Sequence, residues 1–551
     1  MRIALYQLNY TINNIDGNLQ QIRQALAEAE KNKVDLAVFS ELSICGYPPQ
    51  DLLEREDFVE QCRQAINSLA ADCKTIAAIV GGPTINPAGS GKQLFNSAFF
   101  LSEGRITDIH HKGLLPTYDI FDEYRYFEPC KEFHTTSYKG QKLAITICED
   151  LWDDQPVTTR FGKSRLYPIS PMEALSSQSP DIIINIAASP FSYDISHRRQ
   201  EVFLNNVKRY NLPVIYVNQV GANTDLVFDG SSMVVNSIGE VVHQLKSFSN
   251  DSLTIDTEEL DAMPPIPLNH DNRIEKIYSA LVLGIRDYFS KMGFKKATLG
   301  LSGGIDSAVV LCLAAEAIGN ENMRVALMPS RYSSDHSVKD AIDLAANLKV
   351  QYDVVGIEPM VSAFESTLAP VFEGTKIDVT EENIQARIRG TLLMAISNKF
   401  GHLLLNTTNK SEAAVGYGTL YGDMNGAISV LGDVYKTDVF RLAQYINRNQ
   451  EIIPINTITK PPSAELRPDQ KDADSLPDYS ILDAILFKYI EQQASISEIV
   501  AEGYDATLVK KVVYLVNTNE YKRFQFAPVI RVSSKAFGFG RRIPLVARFI
   551  R

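Results

Sequence analysis

A pair of adjacent glycines between a strand and a helix constrains this chain more than any other feature. The apolar run 297–301 leads into Ser302-Gly303-Gly304-Ile305-Asp306-Ser307, and a helical apolar pattern begins at Ala308. Two glycines let the backbone pass close to an anion. The N–H groups of the turn and of the first helical turn then point at that anion. Ser302 and Ser307 add hydroxyl donors, and Asp306 can hold a cation that neutralises a polyphosphate. No lysine follows the glycines, so this is not a Walker A loop. An ordinary βα turn is the plain alternative.

Strands and helices alternate around this turn. Strand patterns at 297–301, 324–328, 352–357 and 402–406 are separated by helical segments. Such alternation predicts a mostly parallel sheet covered by helices, with ligands at the carboxyl ends of its strands. The first half alternates as well. Residues 2–8, 34–40, 76–81, 97–101, 142–147, 181–186 and 214–218 read as strands, 18–31 as a helix and 232–242 as a hairpin. Residues 247–272 are polar and acidic, carry Pro264, Pro265 and Pro267, and read as a linker. The expected organisation is a first domain over 1–246, the linker 247–272 and a second domain over 273–551. A length of 551 residues fits two to four domains of ~150 residues each. Residues 461–483 read as a loop, either mobile and covering a site or plain surface.

Composition excludes several classes. A formal net charge of −12 argues against a nucleic-acid partner, which needs a basic face. No apolar run approaches the ~20 residues of a membrane helix. The start of the chain reads as a strand and not as a signal peptide. Cys45, Cys62, Cys73, Cys130, Cys148 and Cys312 form no CxxC pair, which favours reduced thiols in a cytoplasmic protein.

Three reactive residues of the first half stand where predicted strands end: Glu41, Lys112 and Cys148. A thiolate is the nucleophilic form of cysteine, so Cys148 needs a base or a positive neighbour. Glu41 can take the thiol proton, and Lys112 can stabilise a developing oxyanion. Singly, each has a plain alternative: core filler for Cys148, a solvated lysine for Lys112, a helix cap for Glu41. Together they resemble the Glu-Lys-Cys triad of the nitrilase, or carbon–nitrogen hydrolase, superfamily over about residues 1–245. That resemblance implies a four-layer α-β-β-α sandwich and amide hydrolysis through a thioester on Cys148. The run 117–127 resembles the glutamine-binding branch, and implies glutamine contacts from Tyr118, Ser189 and Arg198.

The second half resembles the PP-loop ATP pyrophosphatases, which split ATP into AMP and pyrophosphate. Glu381-Glu382-Asn383-Ile384-Gln385-Ala386-Arg387-Ile388-Arg389 opens an amphipathic helix and resembles the signature of NAD synthetases. Solvent-facing charge is the plain reading of such a helix start. The resemblance implies ATP contacts from Ser302, Gly303, Gly304, Asp306, Ser307, Thr408 and Lys436. It implies contacts to deamido-NAD⁺ from Asn383, Arg387, Glu412, Tyr417 and Lys522, and Mg²⁺ held by Asp306 and Glu412. Ser463 matches the start of that family's closing loop.

Over nearly its full length the chain resembles the glutamine-dependent NAD⁺ synthetases. The resemblance implies a glutaminase that releases ammonia, with free ammonia as an alternative donor. It also implies a doubly wound PP-loop domain that adenylates the nicotinate carboxylate of deamido-NAD⁺. A homo-oligomer joined through the second domain is expected. Two other classes fit parts of the chain: a PP-loop amidotransferase acting on a different carboxylate, and a nitrilase-like hydrolase fused to a nucleotide-binding regulatory module.

Overall fold

The computed structural model describes residues 1–154, 156–159, 162–267, 272–468, 470, 472–474 and 476–549. The chain divides into two compact units, Met1–Asp271 and Asn272–Arg551.

The first unit holds two six-stranded sheets. In the first, the parallel strands Arg2–Gln7, Leu36–Val38 and Ala77–Ile85 continue into the antiparallel strands Leu94–Ser102 and Arg105–His111. In the second, the parallel strands Gln141–Ile147, Ile182–Ala187 and Val214–Asn218 are flanked by antiparallel edges, Thr136–Tyr138 and the hairpin Met233–Val235/Val241–Gln244.

Side-chain alternation sets the layers. Ile3, Leu5, Leu36, Val38 and Ile79 share one core with Leu143, Ile145 and Ile184 of the second sheet. Their neighbours Ala4, Tyr6, Ala37, Ala78 and Val80 pack instead against Ile22, Leu26, Phe58, Ile66 and Leu69. Those apolar residues lie on the helices Ile15–Lys31 and Glu56–Asp72. On the other side, the helices Pro171–Ser176 and Ile195–Tyr210 bring Met172, Leu175, Val202 and Phe203 to the second sheet. The result is the expected α-β-β-α sandwich.

The segment expected as a linker departs from that reading. Residues Asp251–Asp256 form a strand that pairs antiparallel with Arg2–Gln7 and closes the edge of the first sheet. Leu253 and Ile255 supply the alternating apolar face, and Ile255 is buried in the inter-sheet core. The prolines follow this strand and do not interrupt it. Residues 268–271 of the expected linker lie outside the described residues.

The second unit is built on a five-stranded, all-parallel sheet. Its spatial order is Gln351–Val354, Met323–Leu327, Ala297–Gly300, Leu403–Asn406 and Ile428–Ser429. Numbered along the chain, the order is 3-2-1-4-5, a doubly wound sheet that reverses at Ala297–Gly300. Ligands bind at such a reversal, outside the carboxyl ends of the strands. The helix Ile305–Ile318 follows the glycine turn and is buried along almost its whole length. The expected strand 352–357 ends at Val354, and Ile428–Ser429 was too short to show a period. Four helices (Lys410–Val415, Tyr479–Ile490, Ile496–Ala501 and Ala506–Thr518) pack around their own apolar cluster. Residues 461–483 contain the 3₁₀ turn Asp472–Asp474 and the start of Tyr479–Ile490; residues 469, 471 and 475 lie outside the described residues. Among the described residues, no helix is long and apolar enough to cross a membrane.

Ile184 is fully buried in the middle of the second sheet. Truncation of such a side chain costs ~2–5 kcal/mol through lost transfer energy and an unfilled cavity. Ile184→Ala is therefore expected to lower the denaturant midpoint of the first unit's transition while leaving that of the second in place, as read by urea titration with domain-resolved hydrogen exchange.

Candidate active sites

In the first unit, Glu41 and Lys112 meet in the interior, both without solvent exposure. Glu41 lies just beyond the strand Leu36–Val38, and Lys112 directly follows Arg105–His111. Lys112 Nζ donates to Glu41 Oε1 at 2.7 Å and lies 2.8 Å from Glu123 Oε2. Asn96 Nδ2 donates to Glu41 Oε1 at 2.7 Å, and the Ala188 N–H donates to Glu41 Oε2 at 2.9 Å. The hydroxyl of Tyr47 donates to Glu123 Oε1 at 2.9 Å. Glu41 is therefore pinned on both oxygens, and no part of it serves as a helix cap.

Cys148 directly follows the strand Gln141–Ile147, opens the 3₁₀ turn Cys148–Leu151 and is buried. Its backbone carbonyl accepts from Asn185 Nδ2 at 3.3 Å. Burial pushes the Cys148 thiol well above its ordinary pKa; the Glu41 carboxylate adds to this, while the Lys112 ammonium opposes it. The resting cysteine is thus a thiol, and its proton must be taken for it to act as a nucleophile. Burial alone would lower the Lys112 pKa, but Glu123 and Glu41 outweigh it and raise it well above the usual value. Burial lifts Glu123 to about 7, against the pull of Lys112 and with a further push from Glu41.

Tyr118 and Ser189, the expected glutamine contacts, both sit close to this centre. The Tyr118 hydroxyl donates to Glu149 Oε1 at 2.8 Å, and Tyr167 donates to the same oxygen at 2.9 Å. Ser189 is held by its N–H on Asn218 Oδ1 at 2.8 Å. The third expected contact is corrected. Arg198 is exposed, whereas Arg199 is buried, pairs with Asp229 at 3.1 Å and donates to Ser189 Oγ at 3.3 Å. The buried face of the helix Ile195–Tyr210 runs through Arg199, Val202, Phe203, Asn206 and Val207, a helical spacing that points Arg198 outward.

In the second unit, the glycine turn stands at the reversal of the sheet. Gly303 has φ +78°, and a Cβ there would sit 2.1 Å from the Ser337 carbonyl oxygen, so only glycine fits. Ser302 Oγ lies 3.1 Å from Ser307 Oγ and accepts from the Gly304 N–H at 3.2 Å. Asp306 accepts from Asn409 Nδ2 at 2.9 Å and pairs with Lys436 Nζ, which also lies 3.3 Å from Glu412 Oε1. Burial raises the Glu412 carboxyl to about 8; Lys436 opposes this, and Asp306 and Asp472 add to it. The Asp472 carboxylate accepts from Tyr479 at 2.9 Å and Tyr417 at 3.3 Å. Thr408 is buried, with its N–H on Asn406 Oδ1 at 3.0 Å. Ser302, Gly304, Asp306, Ser307, Thr408, Glu412, Lys436 and Asp472 line a cavity of about 550 Å³, which Ser463 and Arg389 also border, whereas Gly303 lies outside its lining.

A second cavity, of about 850 Å³, is lined by Asn383, Tyr417 and Lys522. Asn383 accepts from the Thr419 hydroxyl at 2.7 Å, and Lys522 Nζ donates to the Gly416 and Gly418 carbonyls at 2.7 Å each. Tyr417 lines both cavities. Arg387 does not join them: it is exposed, lines neither cavity, and donates to the Leu420 carbonyl at 3.3 Å. Arg389 faces the first cavity instead, and burial lowers its pKa to about 10.

Sequence reasoning missed Glu123, Tyr47 and Asn96 in the first site and Arg389, Asn409 and Asp472 in the second. For Arg199 and Arg389 the helical burial period was a usable signal. Glu123 sits in the short 3₁₀ turn Glu123–Arg125 within a polar, aromatic run, where no period marks it as buried.

Comparison with known proteins covers both units. The family model for carbon–nitrogen hydrolases matches residues 2–262, and that for NAD synthase matches residues 277–526. The chain is 45% identical to a glutamine-dependent NAD(+) synthetase from Synechocystis sp., over 99% of each chain. It is 43% identical to one from Acinetobacter baylyi, over 99% of this chain and 98% of that one. Among solved structures, it resembles a glutamine-dependent NAD+ synthetase from Acinetobacter baumannii in complex with adenosine diphosphate. That match has a TM-score of 0.77 and 39% identity, and covers 99% of this chain and 98% of the other.

The electrostatics of the first site carry a direct test. Because the Glu41 carboxylate pushes the Cys148 thiol up, Glu41→Gln is expected to lower the pH midpoint at which Cys148 becomes alkylated by iodoacetamide. The measurement is the pH–rate profile of alkylation, with the modified residue located by mass spectrometry. An unshifted midpoint means that the two groups are not coupled.

Proposed function

We propose how the two sites divide one reaction, starting from the fact that this chain belongs to the glutamine-dependent NAD(+) synthetase family. It is a glutamine-hydrolysing ligase that amidates deamido-NAD⁺ to NAD⁺ at the expense of ATP. The observation that carries the assignment of chemistry to sites is that each site holds a buried lysine between two carboxylates. One stands beside Cys148 and the other beside the glycine turn.

In the first site, Glu41 takes the thiol proton as Cys148 Sγ attacks the glutamine carboxamide carbon. Lys112 stabilises the oxyanion that develops on the carboxamide oxygen. When the tetrahedral adduct collapses, its C–N bond breaks and the proton held on Glu41 goes to the leaving nitrogen, which departs as ammonia. A water then adds to the thioester with Glu41 as base, releasing glutamate and restoring the thiol. Tyr118, Ser189 and Arg199 border the position of the substrate.

In the second site, an oxygen of the nicotinate carboxylate bonds to the α-phosphorus of ATP, and pyrophosphate leaves. A free carboxylate is a poor electrophile, and the acyl-adenylate so formed is a good one. Ammonia attacks the acyl carbon, the C–O bond to AMP breaks, and NAD⁺ results. Ser302, Gly304 and Ser307 offer donors to the phosphates, and Lys436 supplies positive charge. The residues fit a hard cation, since the carboxylates of Asp306, Glu412 and Asp472 exceed the single ammonium they surround. Asp306 and Glu412 would hold Mg²⁺, which when bound offsets charge on the pyrophosphate. Asn383, Tyr417 and Lys522, in the adjoining cavity, are the contacts for deamido-NAD⁺.

A cytoplasmic location is supported by six cysteines that are all free. Self-association through the second unit is supported by its exposed large apolar side chains, among them Phe364, Met394, Phe400 and Phe524.

Two experiments test this division. Cys148→Ala is expected to abolish glutamine-supported NAD⁺ synthesis and to keep the ammonia-supported rate. Asp306→Asn is expected to cripple both routes while glutamate release continues in part. Loss of both routes in a folded Cys148→Ala protein would refute the two-site assignment. The spent nucleotide, separated by chromatography, is expected to be AMP; ADP with inorganic phosphate would overturn the adenylate chemistry.

A further inference from the structure

On the strand that leads to Lys112, one set of metal-ligating side chains converges among the described residues. The ligand atoms of Asp108, His110 and His134 all lie within 4.8 Å of one another. Asp108 and His110 are two residues apart on the strand Arg105–His111, so they share a face. His134 approaches from the other sheet, two residues before the edge strand Thr136–Tyr138. His134 Nε2 lies 2.8 Å from Asp108 Oδ1, and His110 Nε2 lies 3.5 Å from Asp108 Oδ2. The Thr136 hydroxyl donates to Asp108 Oδ2 at 2.6 Å, and its oxygen is 2.7 Å from His110 Nε2. The two imidazoles stack with centroids 4.4 Å apart.

We propose that Asp108, His110 and His134 bind a divalent transition-metal ion, of which Zn²⁺ is the type, and that the ion ties the two sheets together next to Lys112. Two imidazole nitrogens and one carboxylate are a donor set for Zn²⁺, Co²⁺ or Ni²⁺; the hard cation of the adenylation site prefers oxygen ligands alone. A tetrahedral ion with bonds of ~2.0–2.1 Å brings its ligand atoms to roughly 3.4 Å from one another. The His134–Asp108 contact of 2.8 Å opens to that if His134 swings, and its side chain, 51% exposed, has room to do so. The same exposure gives the ion its route in from solvent. The fourth place falls to water or to the Thr136 hydroxyl.

The protonation states suit this role. Burial depresses the His110 pKa despite Asp108, so its imidazole is neutral. Burial pushes the Asp108 carboxyl up, but bonds from His110, Thr136 and His134 overcome it and hold the group ionised. Neutral imidazole and ionised carboxylate are the forms that ligate. At rest His110 carries its proton on Nε2 and donates it to the Thr136 oxygen, because the Thr136 hydroxyl proton goes to Asp108; ligation takes the other tautomer, with the proton on Nδ1 and the Nε2 lone pair on the metal.

The test uses the full chain, stripped with chelator and free of nucleotide, with Co²⁺ as the probe. The parent is expected to bind a single equivalent at micromolar affinity, with a visible d–d band and no near-ultraviolet sulfur-to-cobalt band, and Zn²⁺ is expected to displace it. His134→Ala and Asp108→Asn are expected to weaken binding at least ~10-fold, the loss that removing even a supporting partner of a ligand brings. Zn²⁺ is expected to raise the melting temperature of the parent and of neither variant. The two substitutions lie on different segments, one on the strand Arg105–His111 and one in the loop before Thr136–Tyr138, and Asp108→Asn keeps the shape of the site, so a folding defect in one leaves the other informative. Parent binding no tighter than millimolar, equal affinity in both variants, or a sulfur band that persists in them would overturn the proposal.

Discussion

An ammonium held out of water between two carboxylates is the interaction on which both reaction centres rest. It occurs as Lys112 with Glu41 and Glu123, and as Lys436 with Asp306 and Glu412. Burying one charge is costly, and the mutual attraction of a pair repays that cost only with good geometry and further hydrogen bonds. Two carboxylates around one ammonium leave an excess negative charge that burial makes harder still to hold. The strain shows on the carboxyl groups: Glu123 is lifted to about 7 and Glu412 to about 8. Each centre is therefore short of positive charge in its resting state. In the first unit a proton from Cys148 can supply it, and in the second a divalent cation can.

A third lysine shows that the motif alone does not make a site. Lys410 is fully buried between Asp433 at 2.9 Å and Glu491 at 3.0 Å. It also donates to Ser533 Oγ at 2.7 Å and to the Lys535 carbonyl at 3.0 Å. Asp433 in turn accepts from the N–H groups of Val532 and Ser533. Every charge here is met from within the chain, and neither cavity is lined by Lys410, Asp433 or Glu491. This cluster fixes the helix Lys410–Val415, which carries Glu412 two residues on. In the second unit, buried charge is thus structural where the protein satisfies it fully, as at Lys410, and open to a further partner where it borders a cavity, as at Lys436.

How much of this was legible depended on whether burial left a period in the sequence. The parallel sheet was readable because its strands carry apolar runs separated by helical segments, whereas the α-β-β-α layering came from the resemblance of the Glu41, Lys112 and Cys148 segments to the carbon–nitrogen hydrolases. Glu41 and Cys148 each follow an apolar run, while Lys112 follows the mixed strand Arg105–His111 and stood out only beside the other two. Asp251–Asp256 was masked by its acidic ends and by the prolines that follow, although Leu253 and Ile255 carry the alternation. Arg198 and Arg387 were each misplaced by a short step along a helix. Buried positions at Gln385, Ala386, Ile388 and Gly390 put Arg389, and not Arg387, on the inner side. Glu123, Asn96 and Asp472 left no such trace, because long-range contacts alone bring them to their sites.

Cys148 adds a local constraint that no pattern announces. Cys148 has φ +44°, a left-handed conformation that is unfavourable for a side chain with a Cβ, at a cost of ~1–3 kcal/mol. It persists because its surroundings over-determine it. The Asp150 carboxylate accepts from the N–H of Ile147 at 3.0 Å, which ties down the entry to the turn. Its other oxygen accepts from the N–H groups of Gly113 at 3.0 Å and Leu114 at 2.9 Å, directly after Lys112. One buried carboxylate therefore fastens the segment that carries Cys148 to the segment that carries Lys112 within the Glu41–Lys112–Cys148 cluster. With Asn185 on the Cys148 carbonyl and Ala188 on Glu41, the strand Ile182–Ala187 and the residue after it bind the other two members. The relative positions of Glu41, Lys112 and Cys148 are thus set by hydrogen bonds between buried side chains and the backbone at the ends of the strands that lead to them.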